Sequence, residues 1–222
     1  MRSKDFPGGF EIIVSNSASH DRTAEVVARL QADIPELTLL NLENKGKGWA
    51  VHEGMAAAHG SIRMFSDADN SVSPDHLDKF LPFLCGIEPP PQEKCSDVII
   101  GSIEIPGATI EEQAQWYRRK LGKLAKYVIR LVSGLWQIHD SQRGFKVFSA
   151  AAAEAVFTRQ TIMGWGFDFE ILLIAKIRGF GIREVPVHWI NPPDSKVGIG
   201  AYASTLWELF RVRWNAIKGL YQ

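Results

Sequence analysis

No window in this 222-residue chain approaches the roughly 20 uninterrupted apolar residues that a helical membrane span requires, so no such crossing is expected. Met1 to Gly9 also lacks the charged-then-apolar pattern of a secretory leader, which makes a cytoplasmic setting the expectation. Excess charge is missing too. Lys plus Arg total 25 and Asp plus Glu total 25, so overall charge gives no reason to expect nucleic acid, and a phosphate-bearing partner must be recognised locally. Cysteine is scarce: Cys85 and Cys95 flank Pro89-Pro90-Pro91 and have no metal-type spacing with histidine. Two reduced, bystander thiols are therefore expected. The length suits a single α/β domain over 1–222 and is too short for two generous ones.

The chain alternates between strand-like and helix-like patterns. Strands are predicted over 10–14, 37–42, 62–65, 97–101 and 182–189, with a turn and strand over 140–148. Helices are predicted over 20–32, 48–58, 74–84, 110–135, 165–177 and 201–220. This order is the signature of a mostly parallel, Rossmann-like sheet with helices on both faces. Ligands of such sheets gather at the carboxyl ends of the strands, where Ser15, Asn16, Ser17, Asp67 and Asp69 fall.

Asp67-Ala68-Asp69 directly follows the apolar run Ile62 to Ser66. Two acids one residue apart at a sheet edge repel, and a divalent cation that also holds a diphosphate can offset that repulsion. A D-x-D tripeptide alone is also what a solvated turn supplies by chance. In Asn44-Lys45-Gly46-Lys47-Gly48, backbone N–H groups and two ammonium groups converge before a helix, an arrangement able to receive phosphate oxygens; the alternative is a flexible turn with solvated lysines. Asp140-Ser141-Gln142-Arg143-Gly144-Phe145-Lys146 is the densest polar cluster beside a strand. Asp168 and Glu170 open a helix in an aromatic setting, where acids are favoured by the helix dipole in any case.

Taken in order, these motifs resemble the family 2 inverting glycosyltransferases of GT-A fold, and within them the polyprenyl-phosphate (dolichyl-phosphate) glucosyl- and mannosyltransferases. The matching residues include Glu11 to Val14 with Asp21, Gly46-Lys47-Gly48, Asp67-Ala68-Asp69, Trp116 to Arg119, Asp140-Ser141-Gln142, Phe167-Asp168 and Ser195-Lys196-Val197. The resemblance implies a nucleotide sugar as donor, UDP-glucose first and GDP-mannose second, and a polyprenyl phosphate as acceptor. It implies Mg²⁺ or Mn²⁺ at Asp67 and Asp69, and a nucleotide-sugar site at Asn16, Ser17, Lys47, Asp67 and Asp168. Asp140 is implied beside the reacting sugar, and Arg118, Arg119 and Lys196 near the lipid phosphate. An acceptor phosphate is already anionic near neutral pH, so Asp140 is expected to orient rather than to remove a proton.

The chain also departs from the family pattern. The family's opening strand with its P-x-[YF]-N-E-E motif is missing, and Ser15-Asn16-Ser17-Ala18-Ser19 stands where V-D-[DN]-G-S is usual. An N-terminally truncated fold with an unpaired sheet edge is the expectation. Three readings follow: an active transferase, a weakened homologue that binds nucleotide or lipid, or a metal-dependent nucleotidyltransferase on a similar sheet. The last helix carries Leu206, Trp207, Phe210, Trp214, Ile217 and Tyr221 opposite Ser204, Glu208, Arg211, Asn215 and Lys218. Together with the basic face from Arg118 to Arg130 it is expected at the cytoplasmic surface of a membrane, unless it packs on the domain's own sheet.

Overall fold

A computed structural model describes residues 6, 8–87, 94–111, 116–190 and 199–222; for 116–124 and 199–203 it describes the helical backbone alone. The elements are β1 (Ile12–Ser17), α1 (Thr23–Gln31), β2 (Leu37–Leu42), α2 (Lys47–Ala57), β3 (Ile62–Ser66), α3 (Leu77–Phe80) and β4 (Val98–Ser102). There follow β5 (Thr109–Glu111), α4 (Trp116–Ser133), β6 (Phe145–Ser149), α5 (Ala150–Phe157), α6 (Phe167–Ile177), β7 (Ile182–Pro186), β8 (His188–Ile190) and α7 (Ile199–Ile217).

The centre is a four-stranded sheet in the order β3-β6-β4-β7. β6 runs antiparallel to β3 and β4, while β7 is parallel to β4. β4 (Val-Ile-Ile-Gly-Ser) and β6 (Phe-Lys-Val-Phe-Ser) are buried along their whole length, as β-branched and aromatic runs covered on both faces should be. Side-chain alternation divides β4 between two cores. Val98 and Ile100 join Phe148 and helices α5, α6 and α7, whereas Ile99 joins Val147, Phe80, Leu84 and Val185 on the other face.

β1 and β2 form a separate parallel pair in which Ile12 to Ser17 match Leu37 to Leu42 residue for residue. Among the described residues β1 pairs only with β2, and β3 only with β6, so each leaves one edge without a ladder. The expected unpaired edge is thus present on both pieces. Helix α2 packs against both strands. Gly54 lets it lie close to β1: a Cβ there would come within 2.7 Å of the Ser15 hydroxyl. The Glu11 carboxylate, just before β1, accepts from the N–H groups of His59 (2.6 Å) and Gly60 (3.0 Å) ahead of β3.

Several expectations are corrected. The helix predicted over 110–135 begins at Trp116, because Thr109 to Glu111 pair in parallel with His188 to Ile190 and tertiary pairing overrides the helical pattern. The strand predicted over 182–189 is two strands in different sheets, separated at Val187. The segment 74–84 is a short helix between two 3-10 turns, with Pro82 at the start of the second, where its missing N–H costs no hydrogen bond. Helix α5 went unpredicted because Ala-rich Ala150 to Phe157 has little amphipathic pattern; Ser149 caps it by accepting from Ala152 N–H (3.3 Å). Nor are the cysteines separate thiols. Cys85 N–H donates to Ser96 O (3.0 Å) and Ser96 N–H to Phe83 O (2.8 Å), and these bonds bring the Cα atoms within 5.0 Å, where Cys85 and Cys95 form a disulfide.

Candidate active site

Asp67 leaves the sheet beside the start of β6, its N–H donating to Gly144 O at 2.9 Å. A Cβ on Gly144 would lie 2.1 Å from Asp67 Oδ2, so only glycine leaves room for that carboxylate. Lys47, the first residue of α2, reaches across with Nζ 2.8 Å from Oδ1 and 3.0 Å from Oδ2. Its ammonium stands 5.7 Å from the Trp165 ring centre and 5.9 Å from that of Phe167. Burial pulls the Lys47 ammonium down, but the Asp168 and Asp67 carboxylates together outweigh it and hold it above the usual lysine range. Asp69 is exposed, with Oδ1 accepting from Ser71 N–H at 2.9 Å across a turn in which Asn70 takes φ 56°.

A second cation lies beneath. Lys146, fully buried in the middle of β6, donates to the Asp168 carboxylate, and its Nζ is 5.3 Å from the Phe65 ring centre. Burial lowers its affinity for a proton, partly restored by Asp168. Asp168 is therefore buried on a lysine rather than open to solvent.

On the far side of Gly144, Asp140 is 1% exposed, and its Oδ2 accepts from Ile103 N–H (3.2 Å) and Arg143 Nε (3.1 Å). The Arg143 guanidinium stacks 4.5 Å from the Trp189 ring centre. Glu184 on β7 holds this turn in place by accepting from the N–H groups of His139 (3.0 Å) and Asp140 (2.9 Å). At the end of β1, Ser17 Oγ donates to Asn44 O (2.8 Å) and accepts from Gly46 N–H (3.0 Å). Asn16 is buried; its Nδ2 donates to Asn41 Oδ1 (2.9 Å), and its own Oδ1 has no protein partner.

The expected phosphate cradle at the start of α2 is corrected. Gly48 N–H donates to Gly164 O (3.2 Å), Trp49 N–H to Met163 O (3.1 Å) and Gly46 N–H to Ser17, so these donors are already used. Gly46 and Gly48 are there to dock α2 on the 162–164 loop, since Cβ atoms would lie 2.4 Å from Met163 O and 2.8 Å from Ile162 O. Lys45 is beside His20 (3.1 Å), leaving Lys47 as the inward cation of the pair. That loop is itself braced from behind. Buried Glu170 accepts from the N–H groups of Thr161 and Ile162 and from Tyr221 Oη (2.6 Å), whose phenol burial pushes up and the Glu170 charge raises further.

The structure thus gathers Ser17, Lys47, Asp67, Asp140 and Asp168 around the ends of β1, β3 and β6. The backbone of Arg118 and Arg119 lies in the first turn of α4, their side chains are outside the described residues, and so is Lys196. Lys126 and Arg130 of the same basic face are engaged, with Glu104 and with Trp136 O. Arg143, Lys146, Glu184 and Trp165 were not singled out from sequence. The first two lie inside the quoted polar cluster, which was the available signal.

Among the described residues no three His, Cys, Asp or Glu side chains converge as a metal site. Asp67 and Asp69 still fit a hard divalent cation, because Mg²⁺-type ions take one or two carboxylates and complete their shell with water and substrate phosphate.

Comparison with known proteins gives the family and the fold. Residues 3–157 match the family model described as "Glycosyl transferase family 2". A dolichyl-phosphate beta-glucosyltransferase of Trichomonas vaginalis is 32% identical over 214 residues, covering 96% of this chain and 62% of its own length. The Saccharomyces cerevisiae protein of that name is 24% identical, with 96% of this chain and 67% of its own covered. The chain therefore spans about 62% of the Trichomonas relative it matches. Glucosyl-3-phosphoglycerate synthase from Mycobacterium tuberculosis, solved with Mn²⁺, UDP and glucosyl-3-phosphoglycerate, shares the fold at TM-score 0.59 and 18% identity, covering 92% of this chain and 69% of that one. With a family model that takes in most of the strands and the Asp67-Ala68-Asp69 turn, the chain belongs to glycosyl transferase family 2.

Proposed function

We propose that this chain transfers a hexose from a nucleotide sugar, UDP-glucose first and GDP-mannose second, to a polyprenyl phosphate, with inversion at the anomeric carbon. The observation that carries the reading is the half-buried Asp67 carboxylate beside Lys47, with exposed Asp69 two residues away, at the carboxyl end of β3. The named activity of the Trichomonas and yeast relatives supports the acceptor and the sugar, and the Mn²⁺- and UDP-bound structural neighbour supports the donor.

In this reading Asp67 and Asp69 hold the divalent cation, which when bound supplies positive charge to the donor diphosphate. Lys47 swings from Asp67 toward the diphosphate, and the aromatic walls of Trp165 and Phe167 keep its ammonium partly dry, so its charge acts strongly there. An acceptor phosphate oxygen attacks the anomeric carbon. The carbon–oxygen bond to the diphosphate breaks as the new bond forms, and the nucleoside diphosphate departs. Asp140 acts at one remove: buried and bonded to Arg143, it positions that guanidinium against Trp189, where the cation can face an anionic acceptor.

The test is transfer of labelled glucose from UDP-glucose to polyprenyl phosphate in detergent with Mn²⁺. A β-linked lipid product supports the reading, and its absence with either donor sinks it. The replacement of the family's acids by Asn16 and Ser17, on a strand with one open edge, favours a second reading, a homologue that binds nucleotide without turnover. Tight UDP binding with no transfer identifies it.

A further inference from the structure

Helix α7 buries Leu209 and Val212 but leaves its largest apolar side chains outside. Its inward side is mixed: Glu208 accepts from Gly166 N–H (2.7 Å), Asn215 donates to Thr161 Oγ1 (2.9 Å), and Leu209 and Val212 are buried between them. Its aromatic side faces out. Trp207 is 73% exposed, Phe210 57%, Trp214 58% and Ile217 65%, and the spacing i, i+3, i+7, i+10 sets them in one stripe with Leu206 beside it. A stripe of large apolar side chains left in solvent marks a docking surface.

The charge around the stripe selects the occupant. Arg211, Arg213 and Lys218 flank it, while Glu208, the one acidic side chain from Ser204 to Gln222, is turned inward. Lys218 Nζ lies 5.2 Å from the Trp214 ring centre. Arg213 and Ile217 also border an open groove whose opposite wall carries Lys176. Tryptophan and phenylalanine beside cations, without carboxylates, is the composition that enters the headgroup layer of a bilayer with anionic lipid. Among the described residues no helix is long and apolar enough to cross a membrane, so the contact is one of lying on the surface.

We propose that the outward stripe of α7, Trp207, Phe210, Trp214 and Ile217 with Arg211, Arg213 and Lys218, seats the chain on an anionic lipid surface. The other face of α7 braces the 161–166 loop that carries Trp165, which couples the docked helix to the site beside Lys47. The inference rests on the proposed lipid acceptor only for the choice of a membrane. Its test uses vesicles with neither polyprenyl phosphate nor nucleotide sugar, so it succeeds or fails independently of transfer.

The experiment is co-sedimentation of the purified chain with phosphatidylcholine vesicles with and without phosphatidylserine, read alongside tryptophan emission. The expected result is binding and a blue shift on the anionic vesicles, weakened by salt. Trp207→Ser with Trp214→Ser should cut binding by about tenfold or more while circular dichroism and melting stay unchanged, because both rings are in solvent. Arg213→Glu with Lys218→Glu should weaken binding to anionic vesicles only. Failure of the unaltered chain to bind overturns the proposal, as does equal binding by the serine variant. So does a concentration-dependent dimer that the serine variant abolishes, since the occupant would then be a second copy.

Discussion

Strands β4 and β6 are buried from end to end, whereas β1 and β3, with runs as apolar as Ile12-Ile13-Val14 and Met64-Phe65, are for the most part only half-buried. The difference lies in the neighbours. β4 and β6 each have a strand on both sides; among the described residues β1 and β3 each have a strand on one. The charged groups of the site are distributed accordingly. Asp67, Asp140, Lys146 and Asp168 hang on the four-stranded sheet and the helix packed against it, where backbone and core hold them in place. Asn16 and Ser17, the expected nucleoside end, hang on the flank, which is tied to the rest by α2, the Glu11 contacts and the Ser17–Gly46 bond. The end proposed for the diphosphate is therefore the one expected to be held more firmly.

Lys146→Met should test the rigid side most severely. It leaves buried Asp168 without its hydrogen-bonded cation, which costs about 3–5 kcal/mol of unfolding free energy, measured by denaturant titration; adding Asp168→Leu should restore most of it. Unchanged stability in the single variant would mean that the sheet does not depend on this pair. Next in size, Asp67→Asn should lower kcat for hexose transfer by about 10²–10³-fold while the melting temperature holds, since this side chain is half-exposed. Gly144→Ala pushes a Cβ into the Asp67 carboxylate, and the displacement should cost up to about 10²-fold in transfer.

Hydrogen exchange addresses the comparison itself. Amides of β1 and β2 should exchange well before those of β4 and β6, because a two-stranded flank opens at lower cost than the central sheet. Equal protection would erase the distinction. The smallest effect expected is that of Lys47→Met, less than about 1 kcal/mol of stability after allowance for the exposure of Asp67. The folded-state value of Lys47 is raised. Its contribution is therefore fully present below the unfolded lysine value of about 10.4 and fades as pH rises through the folded value. Stability profiles of the two proteins should run parallel at neutral pH and converge in strong alkali.

Much of this architecture could be read from local pattern. Leu37 to Leu42 agrees to the residue because its apolar run is bounded by polar turns, and the acids after β3 stood out because a strand so apolar ends so abruptly. What escaped was set by distant partners. Nothing local indicates that Thr109 to Glu111 will pair with a strand near residue 189, or that Lys146 in mid-strand will meet Asp168 from the start of a helix. The Gly46-Lys47-Gly48 turn was correctly seen as special, but its glycines serve a close approach of two loops rather than a ligand. The two faces predicted for helix α7 and the residues after it are corrected: Tyr221, expected in the aromatic stripe, is buried on Glu170, and Arg211 and Lys218, expected opposite that stripe, are exposed beside it. Periodicity could not give the inward side because distant partners set it: Glu208 and Asn215 meet the 161–166 loop, and Leu209 and Val212 meet the core.

The most direct test of the central claim, that Asp67 and its neighbours form the seat of a diphosphate and its metal, is calorimetric titration of UDP with and without Mn²⁺. Mn²⁺ should strengthen UDP binding to the unaltered chain, and Asp67→Asn should lose this increment while still folding. Equal affinity with and without Mn²⁺, or an Asp67→Asn protein indistinguishable from the original, would contradict it.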